Sequence, residues 1–153
     1  MISIAEILMP SCVNLDLSSS TLPAAVEEVL ASLRGDPRVS DWESLRATVA
    51  SQSAPSLETD SSAITIAHGR TEVVGSLVMA AGVTKQGFDT ADSKKKVRLV
   101  LVAGIPASFN NEYLRVVGSI ARFCKNPGFL QKLLAAKTPA SFIQLLEEGE
   151  SQL

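Results

Sequence analysis

The stretch AITIAHGR, residues 63–70, runs from apolar residues into the single histidine of the chain, a glycine and an arginine. Its β-branched residues predict a strand, and the glycine predicts that the strand ends there. A strand end beside a glycine presents His68 at a fixed angle, because sheet pairing holds its backbone. A histidine so placed exchanges a proton or a phosphoryl group near neutral pH; the alternative is that it only ends a strand.

Strands and helices alternate on both sides of this stretch. The segment VRLVLVA, residues 97–103, is apolar enough to be a central strand of a sheet covered on both faces. Further strands are predicted at 77–83 and, from apolar and polar alternation, at 13–17. Helical periodicity is found at 2–8, 22–35, 42–49, 110–126, 129–134 and 139–146. This order predicts an α/β fold, a single-domain mixed β-sheet sandwiched by helices over residues 1–153.

Polar residues and prolines set the expected helix ends. Ser40 or Asp41 is predicted to cap the second long helix. Asn110 is predicted to cap the helix that Asn126 and Pro127 end.

Two polar segments are predicted to lie outside the sheet. Residues 51–62 are rich in Ser, Pro, Thr and acidic residues without a period, which predicts a loop that enters the histidine strand and forms a wall of its site. The basic run at 94–96 is predicted to be a solvated turn.

The charge balance argues against several classes of partner. With 14 basic and 16 acidic side chains, a formal net charge of −2, the chain lacks the basic surface that phosphate backbones or anionic membranes require. We therefore expect no nucleic acid partner. No membrane insertion is expected either, because no apolar run approaches the roughly 18 residues of a span. Together with the lack of a signal-peptide pattern, this predicts a cytoplasmic protein.

Metal and cofactor chemistry is not expected. Cys12 and Cys124 have no metal-ligand spacing, and one histidine leaves no ligand cluster, so both thiols are predicted to be buried apolar groups. Glycine-rich nucleotide loops and the serine-hydrolase elbow are missing from the sequence. The carboxylate pairs at 27–28 and 147–148 are predicted to lie on solvated helix faces.

In the order of its segments, the sequence resembles the enzyme IIA domains of the mannitol, fructose and nitrogen-regulatory type of the bacterial phosphotransferase system. The opening residues 2–8, ISIAEIL, are similar to the first helix of those domains. Residues 64–70, ITIAHGR, resemble their apolar strand, which ends in proline, histidine, a small residue and a basic residue. Segments 82–88, 97–106 and 113–123 match the later segments in order and spacing.

This resemblance implies a phosphoryl carrier, and thus a phosphotransferase if the chain is active. The family's histidine accepts a phosphoryl group from a phosphocarrier protein of the HPr type. It passes the group to a cysteine of an enzyme IIB domain, or its phosphorylation state controls a regulatory target. His68 matches the phosphorylated histidine and Arg70 the basic residue two positions later.

Four positions depart from the family's pattern. An arginine of the family falls at Gln52, the acidic residue after it at Ser53, a second histidine at Tyr113, and the proline before the active histidine at Ala67. Gln52 and Tyr113 can donate hydrogen bonds but bring no positive charge. A lost charge-assisted bond of about 1.5–3 kcal/mol would slow transfer by roughly one to two decades.

Other residues are candidates to compensate or to meet a partner. Arg70 and the hydroxyls of Thr59, Ser61 and Ser62 would stabilise a phosphoryl group if the loop folds over the imidazole. Met79 and Phe88 are candidates for an apolar partner surface around His68, although both residue types are also typical of a core.

Two functions remain open. The chain is either a working phosphoryl carrier or a degenerate, catalytically weak regulatory module that keeps the fold and the partner surface.

Overall fold

The structure, a computed structural model, describes residues 3–52, 56–59, 62–91, 93–126 and 128–151. Its strands are β1 (Leu8–Asn14), β2 (Ser56–Glu58), β3 (Ala63–Arg70), β4 (Val78–Thr90) and β5 (Ser93–Ile105). Its helices are α1 (Ile4–Ile7), α2 (Leu22–Ala31), α3 (Trp42–Ala50), α4 (Asn110–Cys124), α5 (Phe129–Leu134) and α6 (Pro139–Ser151). A 3-10 turn at Ala107–Phe109 leads from β5 into α4.

The strands form one mixed sheet in the order β1-β4-β5-β3-β2. β3 runs parallel to β5 and β1 parallel to β4, whereas β4 and β5 are antiparallel neighbours. Residues 99–105 of β5 are all buried, as expected for an apolar strand between two neighbours and two covered faces. The predicted α/β fold, one mixed sheet between helices, is confirmed.

Glycines let two helices approach one face of the sheet closely. A Cβ added at Gly82 would lie 2.6 Å from Cγ2 of Val29 on α2, and one at Gly104 would lie 3.0 Å from Cδ1 of Leu45 on α3. These positions share a face because side chains alternate along a strand and Gly104 pairs with Val78, four residues before Gly82. Tyr113 on α4 is in ring contact with His68, whose neighbour Gly69 faces α3, so α4 starts on the other face of the sheet.

Two strand predictions are corrected by the structure. The first strand is β1 at residues 8–14, not 13–17, and it therefore contains Pro10. A proline is tolerated there because β1 is an edge strand. Residues 56–58, predicted as part of a loop, form β2, which pairs antiparallel with the start of β3.

The basic run at 94–96 is not a turn, because all three lysines lie in β5. Acceptors on β2, on the turn after it and on β4 hold them there. The backbone nitrogen of Lys94 donates to Oε1 of Glu58 at 3.1 Å, and Nζ of Lys95 donates to the carbonyl oxygen of Thr59. Nζ of Lys96 pairs with Asp89 at 3.0 Å.

The predicted caps have different outcomes. Asp41, one of two alternatives, caps α3 by accepting a hydrogen bond from the backbone nitrogen of Ser44 at 3.1 Å. Asn110 is the first residue of α4, but its side chain binds an arginine of β3 instead of capping the helix. Pro127, predicted to end α4 with Asn126, lies outside the described residues.

Candidate functional site

His68 lies near the carboxyl end of β3, two residues before the strand ends at Arg70. It pairs across the ladder with Ala103 of the parallel strand β5, and Ala103 pairs with Met79 of β4. The side chain is half-buried. In a sheet with parallel strands, this carboxyl end is where loops and helix starts leave room for a ligand.

Strand alternation divides the residues at this end between the two faces of the sheet. Gly69 faces α3, since a Cβ there would lie 2.8 Å from Cγ2 of Thr48 and 3.2 Å from the backbone nitrogen of Val49. His68 and Arg70, on either side of it, therefore project from the opposite face, towards α4. The glycine between them is required by the close approach of α3.

The imidazole of His68 has two defined neighbours. Nδ1 lies 3.4 Å from the carbonyl oxygen of Ile66, a long hydrogen bond. Because a carbonyl oxygen only accepts, this contact fits the tautomer with the proton on Nδ1 and the lone pair on Nε2. The ring of Tyr113 on α4 lies 5.4 Å away, centroid to centroid, with the two planes inclined at 37°. The carbonyl oxygen of Ile66 and the ring of Tyr113 together orient the imidazole.

Tyr113 brings a neutral hydroxyl to the site. Its side chain is buried, at 5% exposure. Burial raises the pKa of the Tyr113 phenol, and the positive charge of Arg70 opposes this only in part. The phenol therefore keeps its proton near neutral pH and serves as a donor or a packing surface, not as an anion.

Arg70 is exposed and is tied to the start of α4. Its Nε and Nη2 donate to Oδ1 of Asn110 at 3.0 and 2.6 Å. A second contact lies next to this one, because the backbone nitrogen of Ala107 donates to Oε1 of Glu72 at 3.0 Å. Two residues that follow His68 thus join the end of β3 to the segment that begins α4.

Several predicted phosphate-stabilising residues do not lie at His68. Thr59 and Ser62 bond to each other in the turn between β2 and β3, where the backbone nitrogen of Thr59 donates to the carbonyl oxygen of Ser62 at 2.8 Å. Six residues of extended chain, about 20 Å, separate Ser62 from His68. The prediction that the hydroxyls of Thr59 and Ser62 stabilise a phosphoryl group on His68 is therefore wrong. Ser61 lies outside the described residues, as does Ser53.

Gln52 lies just beyond the carboxyl end of α3 and is exposed. Its backbone nitrogen donates to the carbonyl oxygen of Val49 at 3.2 Å, and Val49 packs on Gly69. The structure therefore brings this end of α3 against the strand that carries His68, but from the opposite face of the sheet. β2 pairs only with residues 63–65 of β3, so among the described residues it does not flank His68.

The predicted partner surface is corrected. Met79 is 1% exposed and Phe88 is 5% exposed, so both belong to the core. Phe88 also lies at the far end of the sheet, because it pairs with Val97, which pairs with Ala63 at the start of β3.

Two residues at the site escaped the sequence analysis. Leu114 follows Tyr113 on α4 and is 56% exposed, the largest exposure of a large apolar side chain in the described part of the chain. Asn110 was assigned only a capping role. The sequence order provided a clue to both. They lie in the first turns of the helix that follows the central strand, at the same end of the sheet as His68.

Neither a metal-ligand cluster nor a membrane-spanning helix is present among the described residues. Within these, no group of three or more His, Cys, Asp or Glu side chains could hold a metal ion. Over the same residues, no helix is both long and apolar enough to cross a membrane.

A mixed sheet with the one histidine of the sequence near a strand end, facing the first turns of a helix, defines an α/β domain with an imidazole at one end of its sheet. The sequence matches the family described as phosphoenolpyruvate-dependent sugar phosphotransferase system, EIIA 2, over residues 6–149. The match covers nearly the whole chain, and the chain belongs to this family.

Solved structures with the same fold include three of known type. The nitrogen regulatory protein IIA-Ntr from Neisseria meningitidis has 22% identity and a TM-score of 0.77, over 92% of this chain and 97% of that one. IIA mannitol from Escherichia coli has 17% identity and a TM-score of 0.66, over 89% and 96%. The complex of enzyme IIAMTL and phosphorylated enzyme IIBMTL from Escherichia coli has 15% identity and a TM-score of 0.69, over 93% and 99%. At these identities the likeness establishes the fold.

Family and fold together support a phosphoryl carrier or regulatory role for the chain.

Proposed function

We propose that the chain is a phosphoryl carrier in which His68 accepts a phosphoryl group from a phosphocarrier protein of the HPr type. The observation that carries the proposal is the imidazole itself, half-buried at a strand end with Nδ1 held by Ile66 and Nε2 left with its lone pair. The domain then passes the group to an enzyme IIB domain or uses its phosphorylation state to regulate a target. The neighbour whose name includes phosphorylated enzyme IIBMTL supports an enzyme IIB partner.

The transfer step is a displacement at phosphorus. The lone pair on Nε2 of His68 attacks, a new N–P bond forms, and the P–N bond to the donor histidine breaks with its electron pair left on the donor nitrogen. The proton on Nδ1 stays on the ring, where Nδ1 donates a hydrogen bond to the carbonyl oxygen of Ile66. Little else is required of the protein than positioning and balance of the charge on the transferred oxygens.

The charges around His68 define a second candidate function. Arg70 is the one cation in the strand sequence AITIAHGR. Gln52 and Tyr113 stand where the family has an arginine and a histidine, and both are neutral. This observation favours the second candidate function, a regulatory module that binds the phosphocarrier protein but accepts its phosphoryl group slowly.

We propose that Leu114, not Met79 or Phe88, contributes the apolar contact with the partner. Leu114 lies one residue beyond Tyr113, whose ring is in contact with His68, and it is 56% exposed. A docked partner must exclude water from the transferring group, and an exposed leucine next in sequence to Tyr113 provides an apolar contact for it. We also propose that residues 1–153 act as one domain in the cytoplasm, as the free cysteines Cys12 and Cys124 suggest.

The carrier function is tested by transfer of labelled phosphate. The chain is incubated with labelled phosphoenolpyruvate and the general phosphotransferase proteins, and we expect a single phosphoryl group per chain that is stable in alkali and labile in acid. His68→Ala is expected to abolish the label. A family domain of established activity in the same mixture is the positive control.

Two outcomes would contradict the carrier function. Equal label in His68→Ala would place the group elsewhere. If the control domain is labelled and this chain is not, the carrier is rejected, and retained binding to the phosphocarrier protein would support the regulatory module.

A further inference from the structure

Arg70 and His68 project from the same face of β3, two residues and about 6.6 Å apart along the strand. The guanidinium is exposed, and Oδ1 of Asn110 accepts hydrogen bonds from both Nε and Nη2, at 3.0 and 2.6 Å. This contact orients Arg70 on the His68 face of β3 from the first residue of α4.

The contact leaves most of the guanidinium available. An arginine has five N–H donors, and the amide oxygen of Asn110 occupies two of them. The remaining donors can reach an anion on the same face of β3. Because side-chain ordering opposes binding, a guanidinium that is already held in place loses less freedom when an anion arrives.

The group that accepts these hydrogen bonds, the side-chain amide of Asn110, is neutral. An aspartate in the same place would make the same two hydrogen bonds, but its charge would compensate that of Arg70. We propose that Asn110 is a positioning residue for phosphoryl transfer: its amide oxygen holds the guanidinium of Arg70 beside His68 while leaving its positive charge for the transferred group. This inference rests on the proposed carrier function.

The test compares Asn110→Asp with Asn110→Ala in the full chain. The rate of phosphohistidine formation is measured with the phosphocarrier protein and, separately, with phosphoramidate, a small donor that needs no docking surface and releases ammonia as its P–N bond breaks. We expect Asn110→Ala to slow transfer about tenfold, because Arg70 loses its anchor. We expect Asn110→Asp to be at least as slow, although it keeps the hydrogen bonds.

Asn111→Asp is the matched control, because it adds the same charge one residue away on an exposed side chain. Its rate is expected to stay within about twofold of the unmodified chain. Circular dichroism and thermal unfolding check that all variants keep the fold.

The outcomes separate this inference from the carrier function. If Asn110 only joins β3 to α4, Asn110→Asp transfers at the unmodified rate, and the inference is overturned while the carrier stands. If Asn111→Asp is slowed as much as Asn110→Asp, the effect is one of general charge and the inference is again overturned. A chain that accepts phosphate from neither donor rejects both the carrier and this role.

Discussion

At the scale of one residue, the packing around Gly69 explains why a glycine lies between His68 and Arg70. Gly69 lies between two side chains that face α4, while its own position faces α3. A Cβ there would lie 2.8 Å from Cγ2 of Thr48 and 3.2 Å from the backbone nitrogen of Val49. The methyl group of Thr48 could rotate away, but the backbone nitrogen of Val49 moves only if α3 moves. A larger residue would therefore push α3 from β3 and change the direction of His68.

Gln52 permits a test of whether the missing charge limits transfer. We expect Gln52→Arg to raise the rate of labelling by the phosphocarrier protein. The position is exposed, so the gain is about 1 kcal/mol or less and the rate rises about fivefold at most. Gln52→Met, of similar length but uncharged, is the control and should not raise it. An unchanged rate in Gln52→Arg would mean that a side chain from this end of α3 does not reach the phosphoryl group.

The site was predictable as far as it depends on strand alternation. The sequence AITIAHGR contains the strand, the histidine and the arginine on one face, with the glycine on the other. The link from Arg70 to Asn110 was not predictable, because it depends on how α4 is placed over the sheet. Thr59 and Ser62 were assigned to the site wrongly, because the hairpin of β2 holds them at the opposite end of β3.

At the scale of elements, the wrong secondary-structure predictions lie where contacts with other strands outweigh the local sequence pattern. Residues 56–58 have few strand signals, yet they pair with β3 in register from Ser56–Thr65 to Glu58–Ala63. The lysines at 94–96 look like a turn, but cross-strand acceptors stabilise them in β5. Edge strands and hairpin ends depend on such contacts, whereas the buried central segment 97–103 was predictable from composition alone.

Glu28 was predicted to lie on a solvated helix face, but its side chain is partly buried and hydrogen-bonded. Its carboxylate accepts hydrogen bonds from the backbone nitrogens and hydroxyls of Ser18 and Ser19, and from Nδ2 of Asn14 at 3.2 Å. α2 is thereby tied to the end of β1 and to the segment between them. Burial acts to raise the pKa of Glu28, but the hydrogen bonds from Ser19 and Ser18 outweigh it and lower the pKa.

We expect Glu28→Gln to lower the free energy of unfolding by about 1–2 kcal/mol, because an amide accepts less strongly and its NH2 group faces donors. Urea unfolding measures the change. Glu27→Gln is the matched control on the same helix: it removes an exposed ion pair to Arg46, with side chains 39% and 46% exposed, and should cost no more than about 0.5 kcal/mol. Equal losses in both variants would contradict the role of Glu28.

The lowered pKa of Glu28 also sets a pH dependence. A carboxyl whose pKa is lower in the folded chain contributes stability above its unfolded pKa, and this contribution is lost as the pH falls through the folded value. The difference in unfolding free energy between the unmodified chain and Glu28→Gln should therefore shrink between about pH 5 and about pH 3. A difference that stays constant over this range would mean that the charge of Glu28 does not contribute.

At the scale of the whole molecule, the order of strands decides which surface a partner meets. His68, Ala103, Met79 and Leu8 lie in one row across β3, β5, β4 and β1. Ala103, Met79 and Leu8 are buried, and His68 is half-buried. Leu114 is exposed on α4 near the His68 end, and Met9 is exposed at the β1 end, about 14 Å away across three strand spacings.

Leu114 and Met9, 56% and 44% exposed, provide a matched pair for locating the docking surface. If the phosphocarrier protein docks over α4, Leu114→Asp should lower kcat/KM for phosphoryl transfer about tenfold, because a charge would be buried in the interface. Met9→Asp should leave it within about twofold, since β1 lies outside that contact. Phosphoramidate needs no docked protein, so its rate of labelling His68 should be unchanged in both variants. An equal loss for Met9→Asp would move the docking surface to β1, and a loss with phosphoramidate would mean that Leu114 acts on the imidazole and not on the partner.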